Sequence, residues 1–161
     1  MPVIDLGRAG VVTPQVRSRH GLAFLAVYRR ILLADDNSAV LDQASKVLAK
    51  DYEIVAAVKD GHAVLKECLL LKPDVIVLDI SMGDVSGIEL ARQLLDSGCF
   101  CRVVFLTVHE ENGFVNAALG AGALAYVIKS RLSMDLVSGV EAAMAEKLFV
   151  SASLMYQRNP A

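Results

Sequence analysis

Residues 75–87 read VIVLDISMGDVSG: four apolar residues, three of them β-branched, then Asp79, then a stretch containing Gly and Ser. The apolar run reads as a strand covered on both faces. A carboxylate at the exit of such a strand is costly unless something pairs with it or uses it. Outward from this stretch the pattern repeats. ILLA (31–34) runs into Asp35-Asp36, EIVAAV (53–58) is another strand, RVVFLT (102–107) ends in Thr107, and LAYVI (124–128) runs into Lys129. Between the first two, NSAVLDQASKVLAK (37–50) spaces Val40, Leu41, Ala44, Val47 and Leu48 along one helix face, with Asn37 or Ser38 as its cap. Further helices are predicted from about Gly61 to Leu71, stopped by Pro73, over VSGIELARQLLDSG (85–98), over NGFVNAALGAG (112–122), and from about Ser133 to Lys147.

Five apolar runs, each followed by a helix, predict an α/β fold: a doubly wound parallel sheet with helices on both faces. In such a sheet, ligands bind beyond the carboxyl ends of the strands. Asp35, Asp36, Asp79, Thr107 and Lys129 all stand at those ends. Singly, each has an ordinary structural explanation as a cap, a turn residue, a β-branched strand residue or a surface charge. Together they complement one another, and the chemistry they suit is phosphoryl transfer. Clustered carboxylates need a hard divalent cation, and Mg²⁺ binds through one or two carboxylates while keeping waters and phosphate oxygens in its shell. Such a cation offsets the repulsion between an attacking carboxylate and an anionic phosphoryl donor. Lys129 and the Thr107 hydroxyl can take the remaining phosphoryl oxygens, which leaves Asp79 as the natural covalent acceptor.

ILLADDN, VIVLDISM, VVFLT and YVIKS resemble the motifs of the receiver domain of two-component response regulators, and the likeness covers about residues 29–153. The resemblance implies a flavodoxin-like, five-stranded sheet of order 2-1-3-4-5. It makes Asp79 the phosphoacceptor, Asp36 the direct ligand of Mg²⁺ (or Mn²⁺), and Asp35 its neighbour acting largely through water. Ser81 lends its backbone carbonyl to the metal, Thr107 and Lys129 hold the phosphoryl group, and Thr107 with Tyr126 forms the switch. The implied function is a phosphorylation-dependent signalling switch. It takes a phosphoryl group from a histidine kinase or histidine phosphotransfer protein and alters the binding of a downstream protein through residues about 111–146, with homodimerisation as a further expectation. It is not an enzyme apart from self-phosphorylation from a phosphodonor and slow autodephosphorylation. Two departures from the family pattern bear on the site. Gly83 replaces the usual Pro, which predicts a looser loop after Asp79, and the branched Val108 replaces a small residue after Thr107, which narrows access to the acceptor.

Two other classes compete. One is a magnesium-dependent phosphatase with an aspartyl nucleophile, whose paired acids stand two apart, whereas Asp35 and Asp36 are adjacent. The other is a phosphate-independent pseudo-receiver, against which the intact set of acids, Thr and Lys argues.

The remaining features set boundaries. The chain of 161 residues suits one domain with an appendage. Its net charge of −2 offers no electrostatic footprint for nucleic acid. The charge is uneven: residues 1–30 carry +4 and the remainder −6. Residues 1–28 are therefore read as a flexible N-terminal extension, 29–153 as the receiver domain and 154–161 as a C-terminal tail. No second periodic unit follows the last helix, so direct DNA binding by this chain is not expected. Cys68, Cys99 and Cys101 are too few for a disulfide framework and fit a reducing compartment, and Cys99 and Cys101 are read as small fillers beside a strand. No apolar run approaches the ~20 residues of a membrane span, and GLAFLAVY (21–28) lacks a cleavage pattern, so a cytoplasmic location is expected.

Overall fold

The computed structural model describes residues 29–154, together with the backbone of an antiparallel ribbon in which Gln15–Arg17 pairs with Ala23–Leu25. The expectations for the rest of 1–28 and for 155–161 lie outside the described residues. Strands β1 (Arg30–Ala34), β2 (Glu53–Val58), β3 (Val75–Leu78), β4 (Arg102–Thr107) and β5 (Ala125–Ile128) alternate with helices α1 (Ser38–Leu48), α2 (Gly61–Leu71), α3 (Gly87–Asp96), α4 (Asn112–Gly120) and α5 (Leu132–Met144). The sheet is parallel throughout, in the order β2-β1-β3-β4-β5, as expected from the sequence resemblance.

The sheet has six strands rather than five. After α5 the chain turns back, and β6 (Phe149–Val150) pairs in parallel with Ala125 and Tyr126 at the edge of β5. Two residues are too short to show a strand period, and their pairing exists only once β5 offers its edge. The last helix accordingly ends at Met144, three residues short of its expected end, and Glu146 reverses the chain with φ +56°. The core continues through Leu154, which is fully buried.

Side-chain alternation on the strands divides the core into two layers. Ile31 and Leu33 of β1 pack with Leu41 and Leu48 of α1 and with Leu136 and Val140 of α5. Leu32 and Ala34 face the other layer, with Val64 of α2, Leu94 of α3 and Ala118 of α4. Burial on both faces is why β3 is apolar at all four positions. Asn37 caps α1 through its side-chain oxygen, which accepts from Ala39 N at 3.0 Å.

The loop after β3 is a small hairpin in which Ser81–Met82 pairs with Val85–Ser86. Gly83 begins its two-residue turn with φ +63°. Proline is locked near −65° and cannot occupy that conformation. The loop that turns at Gly83 is held by the pairing of Ser81–Met82 with Val85–Ser86.

Beyond β5, Asp135 on α5 accepts from Arg131 Nε at 2.7 Å and Nη2 at 3.1 Å. Buried Ser151 accepts from Ile128 N at 3.1 Å, which holds the chain after β6 against β5. The Arg131 hydrogen bonds hold the Asp135 carboxyl below its ordinary range. Its stabilising contribution is therefore complete above the unfolded carboxylate value near ~4 and disappears as pH falls through the lower folded value. Asp135→Asn is expected to lower the melting temperature modestly at pH 7, with the gap from the unsubstituted protein closing below about pH 4; melting curves across that range check the sign.

Candidate functional site

The carboxyl ends of β1, β3, β4 and β5 bring Asp35, Asp36, Asp79, Thr107 and Lys129 to one edge of the sheet. One carboxylate oxygen from each of Asp35, Asp36 and Asp79 lies within 4.8 Å of the others. Asp35 and Asp79 are buried, whereas Asp36 is exposed, so the cluster has two walls and one side open to solvent.

Lys129 reaches over this cluster. Its Nζ donates to Asp79 Oδ2 at 2.9 Å and lies 2.8 Å from Asp35 Oδ2. The second contact is an ion pair by distance but is not aligned as a hydrogen bond, which leaves Asp35 Oδ2 buried without a donor. Asp35 Oδ1 accepts from Asn37 N at 2.8 Å. Burial pushes the Asp35 carboxyl above its ordinary value, and the neighbouring charge of Asp79 adds to this, against the lowering effect of Lys129 and Asn37. Burial alone would lower Lys129, but its contacts with the Asp35 and Asp79 carboxylates prevail and leave it raised, as a firmly held cation. One cation thus serves two carboxylates, with a third close by.

Three clustered acids, two of them buried and sharing a single ammonium, fit a divalent cation. The donor set is all oxygen, the class that suits Mg²⁺ or Mn²⁺ and not a thiophilic metal. Asp35, Asp36 and Asp79 can hold it. Ser81 lies in the hairpin directly after Asp79, and its amide points back to Asp79 Oδ1 at 3.4 Å.

Thr107 is fully buried at the end of β4, and its Oγ1 accepts from His109 N at 3.3 Å. Tyr126 is also fully buried, its ring 6.4 Å from that of Phe105, and its hydroxyl donates to the His109 carbonyl at 2.8 Å. Burial, with the charges of Glu111 and Asp79 behind it, pushes the Tyr126 phenol well above its ordinary value, so it stays a donor.

The sequence reading passed over His109. Its Nε2 lies 2.9 Å from Ser81 Oγ, its ring stacks on Phe114 of α4 at 4.1 Å, and its backbone meets both Thr107 and Tyr126. The only signal available in the sequence was its place two residues beyond a strand end that carries a candidate group. Val108, expected at the mouth, is 65% exposed, and it is His109 that contacts the loop after Asp79.

Known proteins are similar to this chain. The family model described as the response regulator receiver domain matches residues 31–141. The response regulator GacA of Pseudomonas viridiflava is 32% identical over 130 residues, 80% of this chain and 61% of that protein. The transcriptional regulatory protein PdtaR of Mycobacterium tuberculosis is 33% identical over 121 residues, 74% of this chain and 58% of that protein. The chain thus spans about three fifths of the length of these curated relatives. Among solved structures, a two-component response regulator of the LuxR family from Aurantimonas sp. SI85-9A1 superposes with a TM-score of 0.76 at 27% identity, covering 80% of this chain and 94% of that one. With the match spanning most of the chain and the acids, Thr and Lys gathered at the strand ends, this protein belongs to the response regulator receiver domain family.

Proposed function

We propose that Asp79 accepts a phosphoryl group from a phosphohistidine on a kinase or phosphotransfer protein, or from a small acyl phosphate, and that the resulting change in charge alters binding of a partner protein. The observation that carries this reading is Lys129 within reach of both Asp35 and Asp79 with Asp36 beside them, an arrangement that suits a nucleophile, a cation and metal-ligand acids in one cleft. A carboxylate oxygen of Asp79 forms a bond to phosphorus as the P–N or P–O bond of the donor breaks, and the imidazole or carboxylate leaves with the bonding pair. Lys129 is already placed to pair with the incoming phosphoryl oxygens, and Thr107 can donate its hydroxyl to another. Bound at Asp35, Asp36 and Asp79, Mg²⁺ supplies charge neutralisation for the attacking carboxylate and the phosphoryl oxygens.

For the response, Thr107 is the link. Turning its hydroxyl toward a phosphoryl oxygen gives up the bond from His109 N, and His109 is tied to Tyr126 and to α4 through Phe114. Tyr126 is already inside in this conformation, so its inward position is not created by the modification. The change is instead carried by the 107–114 segment that surrounds it. The gain available from a few charge-assisted hydrogen bonds is on the order of 1–3 kcal/mol, enough for a roughly 5- to 150-fold shift in partner affinity. The face expected to change is about residues 111–146.

Incubation with acetyl phosphate and Mg²⁺ followed by intact mass analysis tests the proposal. A stable gain of one phosphoryl group on Asp79 supports it, rapid turnover of a general phosphate ester without a retained label replaces it with a phosphatase, and no reaction leaves an interaction module that works without phosphate. Asp36→Ala is expected to reduce labelling to near the level seen without Mg²⁺, because Asp35 and Asp79, already paired with Lys129, cannot fix an octahedral shell alone. Unchanged Mg²⁺ affinity by calorimetry in that variant would remove Asp36 from the ligand set.

A further inference from the structure

A second cluster of reactive side chains lies at the opposite end of the sheet, where β4 begins. All three cysteines of the chain meet there. Cys99 and Cys101 occupy the connection between α3 and β4, and their sulfurs are 3.2 Å apart. Cys68, fully buried near the end of α2, lines the same groove as Cys99 and Cys101. The sequence reading took Cys99 and Cys101 as fillers beside a strand and did not join Cys68 to them; two elements far apart in the chain bring the three to one groove.

Access differs among them. Cys99 and Cys101 are half-buried and Cys68 is closed off. The cluster lines a groove of about 370 Å³ together with Lys72, Pro73 and Phe100, so small solutes can reach it. Phe100, between the two half-buried cysteines, is 95% exposed, and its side chain does not stand between their sulfurs and each other.

We propose that Cys99 and Cys101 form a vicinal dithiol site that is reversibly oxidised to an intramolecular disulfide by a low-molecular-weight disulfide such as glutathione disulfide. The sulfur separation is only roughly 1.2 Å longer than a disulfide bond of ~2.05 Å, so the two sulfurs already stand near bonding distance. One of the two thiols, as thiolate, attacks a sulfur of the oxidant and expels one small thiolate. The other protein thiol then displaces the second small thiol from the mixed disulfide. In total the two cysteines lose two electrons and two protons, and the S–S bond of the oxidant is reduced to two thiols. Burial holds the Cys99 thiol above its ordinary value, and contact with Cys68, then burial, does the same for Cys101. Thiolate is therefore scarce, and the exchange is slow, unlike that of a catalytic thiol. The product ties off the α3–β4 connection with Phe100 at its tip. The inference uses none of the strand-end carboxylates and stands independently of their role.

The test is equilibration of the full chain with mixtures of reduced and oxidised glutathione, acid quenching, alkylation and peptide mapping. The expected result is loss of two of the three alkylatable thiols, a mass lower by two hydrogens, and a link within the peptide that holds Cys99 and Cys101. Cys99→Ser and Cys101→Ser should each abolish that link, and reduction should restore all three thiols. Three thiols that stay alkylatable at every ratio, a stable mixed disulfide with glutathione, a Cys68–Cys101 link or a link between chains each overturns the proposal. The mapping needs no variant, so a substitution that fails to fold leaves the result decisive.

Discussion

Asp79→Asn is expected to reduce labelling by acetyl phosphate to background while leaving the fold intact. The amide keeps the shape of the carboxylate but is a poor nucleophile at phosphorus, so the bond-forming step fails outright. The fold survives for an electrostatic reason. Asp79 is only 4% exposed and stands beside Asp35, whose carboxyl its charge pushes upward, so its removal relieves a buried like-charge contact. Lys129 loses one partner and keeps Asp35 at 2.8 Å, which avoids the large penalty of a stranded cation. Intact mass and thermal melting on the same sample separate the two effects. Undiminished label that maps to another acid would overturn the assignment of Asp79.

Gly87→Ala is expected to be the most damaging small substitution in the molecule. Gly87 opens α3, and its amide donates to Ile80 O at 2.6 Å, pulling the helix start against the loop that leaves β3. A Cβ at this position would lie 1.9 Å from the Asp79 carbonyl oxygen and 3.0 Å from Ile80 Cα, and both are backbone atoms that no side-chain rotation can clear. Helix or loop has to move, at a cost on the order of 3 kcal/mol or more. Because the displaced atoms belong to Asp79 and Ile80, phosphoryl labelling should fall together with stability. Gly83→Ala is the comparison: a Cβ there meets nothing within 4 Å, and only the left-handed φ of +63° opposes it, a cost of about 1–2 kcal/mol. Denaturant midpoints of both variants test the ranking, and a Gly87→Ala protein as stable as the Gly83→Ala protein would show that the close approach is not maintained in solution.

Both expectations combine information of two kinds. Asp79 was legible from a local pattern, because four apolar residues followed by an acid have few physical explanations. Gly87 in the same stretch was not, since the reason for a glycine there is a contact with the backbone of Asp79, and only the folded hairpin sets that distance. His109 was hidden for a similar reason. Its importance rests on Ser81, Thr107, Phe114 and Tyr126, drawn from the hairpin after β3, two strands and a helix, and no spacing within HEE hints at them. Tyr126 was placed on the right strand, but whether its ring stood inside or outside depended on the partner for its hydroxyl, the His109 carbonyl.

The sequence by itself determined the alternation of strands and helices, the parallel sheet covered on both faces, and the acids, hydroxyl and ammonium at the strand ends, because hydrophobic period and chain direction are properties of neighbours along the chain. The tertiary structure decided the sixth strand, the hairpin built on Gly83, the sharing of Lys129 between Asp35 and Asp79, and the meeting of three cysteines. Each of these depends on atoms separated by many residues, and their distances are fixed only when helices of particular length close onto a sheet of particular register.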